Sequence, residues 1–220
     1  MTPRYQIKEI YYTLQGEGAQ AGRSAVFCRF TGCNLWSGRE EHRDTAVCSF
    51  CDTDFVGTDG IGGGIFDSAN DLAAAVDAAW PAAPHINCPG DEAERFVVCT
   101  GGEPLLQLDT PLIDALHRQG FQVAVETNGT IAAPAELDWI CVSPKAGADW
   151  VQKTGDEIKL VYPQPGAMPE KFLAGEFTHW YLQPMDCPER EKNTRAAIEY
   201  CLAHPKWKLS LQTHKITGMP

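Results

Sequence analysis

Hydrophobic positions along this chain recur with two periods, and segments of the two kinds alternate. Tyr5 to Tyr12 and Ser24 to Phe30 (SAVFCRF) alternate apolar and polar residues, many of them β-branched or aromatic, which predicts two strands, each followed by a glycine-rich or polar turn. Asp67 to Trp80 (DSANDLAAAVDAAW) places Leu72, Val76 and Ala79 at helical spacing, opens on Asp and Ser, and meets Pro81 as a stop. Thr110 to Gln119 predicts a second helix, with Thr110 as N-cap, Pro111 in the first turn and Gly120 as the C-terminal glycine. The apolar runs Arg95 to Thr100, Phe121 to Glu126, Trp139 to Ser143, Glu157 to Tyr162, Thr178 to Leu182 and Lys206 to Gln212 are too short for helices and sit among Gly, Pro and Asn. They predict buried strands, with a last helix at Glu189 to Ala203.

Strands interleaved with helices argue for an α/β domain with a mostly parallel sheet. Helices are fewer than strands, which predicts an open, partial (β/α) barrel rather than a complete eightfold one. No fixed-period repeat or linker interrupts the 220 residues, so residues 1–220 are expected to form a single domain. Polar motifs follow the apolar runs: LQGEG (14–18), TGCN (31–34), TGGEP (100–104), ETNGT (126–130), SPK (143–145), QPMD (183–186) and QTHK (212–215). In parallel α/β folds the carboxyl ends of the strands share one rim, so these motifs are expected to converge on one site.

Charge narrows the partners. With 18 Lys and Arg against 29 Asp and Glu, the net charge of −11 disfavours a nucleic-acid partner, which would need a basic stripe. The start MTPRYQIKEI lacks an apolar h-region, and charged residues break every apolar stretch short of a membrane span, predicting no membrane association and a cytoplasmic protein. Nine cysteines, an odd number without a secretion signal, argue against a disulfide framework.

Three of those cysteines have spacing that carries chemistry. Cys33, Cys48 and Cys51 read Cx14CxxC, and a CxxC turn points two thiolates at one metal or cluster edge. Adding Cys28 gives Cx4Cx14CxxC, the ligand count and approximate spacing of a structural zinc site and hence of a zinc-stabilised binding module. Strand phase weighs against that fourth ligand: Cys28 shares a face with Val26 and Phe30, where a free cysteine is a small core residue, while Arg29 lies on the other face. Cys88, Cys99, Cys141, Cys187 and Cys201 stand singly and read as core or surface thiols. His42, His85, His117, His179, His204 and His214 show no metal-ligand spacing and are given no catalytic role. The run GTDGIGGG (57–64) lacks the GK[ST] ending of a phosphate loop and reads as a flexible turn.

CNLW, then CSFCDT, with TGGEP some fifty residues later, resembles the radical S-adenosylmethionine enzymes, whose signature is CxxxCxxC with an aromatic residue before the third cysteine, here Phe50. LQGEG, SPK and QTHK narrow the resemblance to the 7-carboxy-7-deazaguanine synthases, over about residue 7 to the C-terminus. The departure is the first spacing, which an insertion of eleven residues within SGREEHRDTAV accounts for, since lengthening a surface loop costs slowly growing closure entropy. Pro84 to Glu94 also reads as additional, exposed material.

The resemblance implies a modified, partial radical-SAM barrel and a lyase of queuosine and 7-deazapurine biosynthesis. Its reaction removes hydrogen from C6 of 6-carboxy-5,6,7,8-tetrahydropterin, contracts the ring and releases ammonia. Cys33, Cys48 and Cys51 would hold a [4Fe-4S] cluster. Phe50, Gly101, Gly102, Glu103, Ser143, Pro144, Lys145, Gln183, Pro184, Met185 and Asp186 would receive S-adenosylmethionine. Leu14, Gln15, Gly16, Arg29, Thr100 and the terminal Pro220 would bind the pterin; Arg29 suits a carboxylate through its bidentate fork, against the bland alternative of a surface ion pair. Thr53 matches a Mg²⁺ position, with Asp52 and Asp54 as possible plain turn residues. A flavodoxin-like one-electron donor and a homodimer are further implications. The rival enzyme activity is a radical-generating activase that oxidises a glycine in a partner protein, for which LQGEG, SPK and QTHK would be coincidences.

Overall fold

The computed structural model of the chain describes residues 4–81 and 94–220; the expected exposed segment 84–94 lies outside them except for Glu94, as do Met1, His85 and Cys88. Nine strands form one sheet: β1 (Tyr5–Leu14), β2 (Ser24–Phe30), β3 (Gly64–Phe66), β4 (Arg95–Gly101), β5 (Phe121–Thr127), β6 (Trp139–Val142), β7 (Thr154–Tyr162), β8 (Glu176–Pro184) and β9 (Lys208–Leu209). Their spatial order is β3-β1-β2-β4-β5-β6-β7-β8-β9, so the sheet ends on β3 and β9 and does not close. β1 pairs antiparallel with β2 and β3, and every pair from β2 to β9 is parallel. The expected open, mostly parallel α/β sheet is the observed architecture.

Helices α1 (Ala69–Ala79), α2 (Thr110–Arg118) and α3 (Arg190–Ala203) cover one face, and a short α4 (Thr213–Thr217) ends the chain. Period-2 alternation sends Val26, Cys28 and Phe30 of β2 into the core beneath α1 and α2, with Val97, Cys99, Val123 and Val125 from the next strands. Leu72 and Val76 of α1 and Leu112 and Leu116 of α2 meet them, all at most 1% exposed. A second cluster, built on Ile158, Leu160, Trp180, Leu182 and Trp207, lies with Ala197 of α3. Ala25, Phe96, Val98 and Ala124 pack on the opposite face.

Three expectations need correction. The N-cap of α2 is Asp109, not Thr110: its carboxylate accepts the Leu112 N–H at 3.1 Å and the Tyr5 hydroxyl at 2.7 Å, which leaves Thr110 as the first helical residue. Lys206 to Gln212 yields only the two-residue β9, because Trp207 turns into the core against Trp180 and Thr213 N–H leaves the ladder to reach Gly16 O at 3.1 Å. The 57–64 glycine run is no free turn. It docks on β1 through Gly60 N–H to Lys8 O and Ile10 N–H to Ile61 O, and its last residue begins β3.

Candidate active site

A cavity of about 390 Å³ opens at the carboxyl ends of the strands, within the size range of small-molecule sites. Cys33, Cys48, Phe50, Cys51 and Thr53 line it, as do Gly101 and Gly102, Ser143 and Lys145, Gln183, Pro184 and Asp186, and Leu14, Gln15, Gly16, Arg29, Thr100 and Pro220. Motifs scattered over the whole chain therefore meet on one rim. Three expected members do not line the cavity: Glu103, Pro144 and Met185. Pro144 O accepts from the buried Gln164 side chain at 3.4 Å, and the backbone of Met185 bonds Tyr162 O and the Asn193 amide.

Glu103 is completely buried under the TGGEP turn. Its carboxylate accepts Leu105 N–H at 3.0 Å, the Thr127 hydroxyl at 2.8 Å and Asn128 N–H at 2.8 Å, so its acceptor capacity knits β4 to β5. Burial, the largest influence, pushes its pKa up against those three donors. Above it, Gly102 is packed so tightly on the first cysteine loop that a Cβ there would stand 1.9 Å from Gly32 O and 3.1 Å from Cys33 Cβ. The turn must be glycine for its backbone to approach the cysteines. Asn34 completes the link: its side chain donates to Thr130 at 2.7 Å and accepts from Asn128 at 2.9 Å, joining CNLW to ETNGT.

The three thiols line the cavity, and their ionisation differs. A hydrogen bond from the Cys48 thiol is the largest influence lowering Cys51, which despite burial falls to about 6, aided by Thr53 N–H and the Lys145 charge. The same bond raises Cys48, and burial raises Cys33. Lys145, bonded to Ser143 Oγ at 2.7 Å, places its positive charge near both Cys48 and Cys51. Three thiols in one cavity beside a cation and a side-chain-free turn suit a cluster that keeps one iron open to a non-protein ligand. Among the described residues, no three His, Cys, Asp or Glu side chains close on a single metal ion. The four-cysteine zinc alternative is overturned by Cys28, which is 2% exposed in the main core beside Cys99 rather than in the cavity.

The cavity also carries charge that sequence reading missed. Lys159, in the middle of β7, is 4% exposed and ion-pairs with Glu17 at 2.6 Å and Glu126 at 3.2 Å; Gln15 donates to Glu126 at 2.9 Å. Burial works against the ammonium, but the charges of Glu126 and Glu17 outweigh it and hold its pKa well above the ordinary value. Burial likewise opposes ionisation of Glu17, and the Lys159 charge and hydrogen bond prevail, holding its carboxyl below the usual range. The available signal was a lone cation inside the apolar run EIKLV. Arg29 does form the expected ion pair, with Glu9 at 2.7 Å, and donates to Tyr11 OH at 2.9 Å, yet it lies in the cavity and neither partner engages Nη1.

The C-terminal segment closes the rim. Thr213 Oγ1 donates to Gly16 O, and Thr13 Oγ1 to Pro220 O at 2.9 Å. Lys215 ion-pairs with Asp52 and, at 2.6 Å, with Asp186. Asp52 is thus held by the QTHK segment, while Asp54 pairs with Lys8 at 3.0 Å and is largely exposed, as a turn residue is. His214, given no role from spacing, lines the cavity. No helix among the described residues is long and apolar enough to cross a membrane.

No family model matches the chain. It is 64% identical over 216 residues to the 7-carboxy-7-deazaguanine synthase of Caulobacter vibrioides, covering 98% of this chain and 99% of that protein. It is 59% identical over 216 residues to the protein of that name from Bordetella pertussis, with the same coverage. Among solved structures, the crystal structure of QueE from Escherichia coli superposes with a TM-score of 0.64 at 26% identity, covering 94% of this chain and 93% of that one.

Proposed function

The chain belongs to the 7-carboxy-7-deazaguanine synthase family, and from that premise we propose that its rim cavity converts 6-carboxy-5,6,7,8-tetrahydropterin into 7-carboxy-7-deazaguanine and ammonia. The observation that carries the residue assignment is the convergence of these motifs on one cavity. Cys33, Cys48 and Cys51, the Gly101–Gly102 turn, Arg29 and the Glu17–Lys159–Glu126 cluster all line it. The glycyl-radical activase alternative finds no support in these relatives.

On this reading, Cys33, Cys48 and Cys51 would hold a [4Fe-4S] cluster, which when bound would supply the one-electron reduction of S-adenosylmethionine on which hydrogen abstraction from C6 depends. Phe50, Gly101, Gly102, Ser143, Lys145, Gln183, Pro184 and Asp186 shape the seat of that cosubstrate, with Glu103, Pro144 and Met185 supporting it from beneath. Arg29 offers guanidinium donors to the substrate carboxylate, and Leu14, Gln15, Gly16 and Thr100 frame the ring. Lys159 stays protonated at neutral pH, so it acts toward the substrate as a donor and fixed charge, not as a base. The 213–220 segment, with Pro220 against Thr13, excludes water and restricts the approach of C6 to the radical. The Thr53 hydroxyl provides a hard oxygen ligand for Mg²⁺ near the substrate. We further propose a cytoplasmic homodimer served by a flavodoxin-like electron donor, as the resemblance implies.

Anaerobic purification with iron, sulfide and zinc analysis, followed by turnover of the pterin, tests this. The expected result is four irons per chain and ammonia release that Cys48→Ala abolishes, with Mg²⁺ stimulation lost in Thr53→Ala. One zinc without iron, or full turnover by Cys48→Ala, overturns it.

A further inference from the structure

We propose that Arg43, inside the segment that separates the first two cysteines, is a positioning residue for the cluster-binding loop and sets the electrostatics on its outer side. The inference rests on the cluster reading above. Residues 34–47 form a closed excursion: Val47 N–H and Cys48 N–H both reach Leu35 O, at 3.1 and 3.3 Å, so the chain returns to its point of departure before entering CxxC. The excursion contains a 3-10 turn, Glu40–Thr45, and Arg43 points from it into the cysteine loop. One guanidinium nitrogen, Nη1, donates to Ser49 O at 2.8 Å and to Cys51 O at 3.1 Å.

A plain surface ion pair would account for only part of this. Arg43 does bind the Glu40 carboxylate through Nε at 2.8 Å, but that pair leaves Nη1 free to bridge two carbonyls on either side of Phe50. The guanidinium is also stacked 4.2 Å over the ring of Trp36, which is 8% exposed and meets Phe55 edge-on at 5.6 Å. Trp36 follows Cys33 and Phe55 follows Cys51, so the stack ties both ends of the ligand set together with Arg43 on top. Ser49, Phe50 and Cys51 belong to no helix or strand, and a segment without ladder hydrogen bonds needs other donors to fix its shape. Arg43 supplies them from a planar fork that lysine lacks. Donors that hold the backbone around metal ligands orient those ligands and tune the metal. The eleven extra residues are therefore a built-in clamp rather than an inert insertion.

Two separable effects follow: geometry depends on the fork and electrostatics on the charge. Anaerobically purified wild type, Arg43→Gln, Arg43→Lys and Glu40→Gln would be compared for iron per chain, rate of iron loss to a chelator, and cluster midpoint potential by EPR-monitored titration. Arg43→Gln is expected to lose iron roughly 10- to 100-fold faster, the range by which metal affinity falls when hydrogen-bond partners of metal ligands are removed, with a more negative potential. Arg43→Lys is expected to lose iron at an intermediate rate at the wild-type potential, and Glu40→Gln to shift the potential upward. Wild-type iron retention in Arg43→Gln, or potentials unchanged across the set, overturns the proposal while leaving the cluster reading intact. A wild type without iron overturns both. If Arg43→Gln is insoluble, the rates and potentials of Arg43→Lys and Glu40→Gln decide.

Discussion

Replacing Lys159 by Met removes the charge at the centre of the Glu17–Lys159–Glu126 cluster while nearly preserving side-chain length. At separations of 2.6 and 3.2 Å from Glu17 and Glu126, the gross attractions are about 6 and about 5 kcal/mol at an effective dielectric of 20. Burying an ammonium costs several kcal/mol of desolvation, so the intact triad is close to balance. Its disruption is not balanced, because two carboxylates lose their partner, and the expected loss is about 3 to 5 kcal/mol. The deficit has a pH signature. In the wild type the Glu17 pKa is lowered on folding, so its contribution is present above the unfolded value of 4.5 and disappears as pH falls through the folded one. Without Lys159, burial dominates and raises the folded pKa, so the penalty grows as pH rises. Urea unfolding of cofactor-free protein at pH 5 and pH 8 should show the larger deficit at pH 8, with Glu17→Gln in the Lys159→Met background recovering part of it. A deficit below about 1 kcal/mol at pH 8, far under the range for a broken buried pair, would refute the reasoning.

Other substitutions probe the same architecture. Glu157 accepts Ala19 N–H at 2.7 Å, and Gly18 sits so close that a Cβ would fall 2.0 Å from Glu157 Oε1. Burial raises its pKa, so its charge costs stability as pH rises above 4.5; Glu157→Gln should match or exceed wild-type stability at pH 8, whereas Glu157→Ala should raise the pterin KM by loosening the Glu17 loop. Gly102→Ala puts a methyl against Gly32 O and should cost about 1 to 3 kcal/mol, the usual range for overpacking, and at least tenfold in S-adenosylmethionine affinity by equilibrium dialysis; unchanged affinity would remove that turn from the site. Thr13→Val deletes the bond to Pro220 O and should lower stability by about 1 kcal/mol, with a higher pterin KM and unchanged kcat.

Much of this was legible because local rules and tertiary requirements coincide. The phase of SAVFCRF separates Cys28 from Arg29, and the sheet sends one to the core and the other to the cavity. The motifs converge because parallel strands expose their carboxyl ends together. What escaped depends on distant partners. The Lys159 triad joins residues 17, 126 and 159, and a cation flanked by Ile158 and Leu160 gives no hint of which acids face it. The early end of β9 is decided by Gly16, almost two hundred residues upstream, which captures the Thr213 N–H that a longer strand would use.

Glu103 shows a subtler case. A carboxylate in a glycine turn reads as a group that faces the ligand, since both features belong to the same motif. Yet a turn that must press against Gly32 and Cys33 has backbone N–H groups of its own neighbourhood to satisfy, and buried donors without acceptors are costly. Glu103 meets two of them, from residues 105 and 128, together with the Thr127 hydroxyl, and so is withdrawn from the cavity. The same logic applies to Arg43, where a residue of the insertion meets carbonyls of the cysteine loop. Motif residues in this fold therefore divide into those whose polar atoms face the cavity and those consumed in holding the backbone there, and only the hydrogen-bond partners tell them apart.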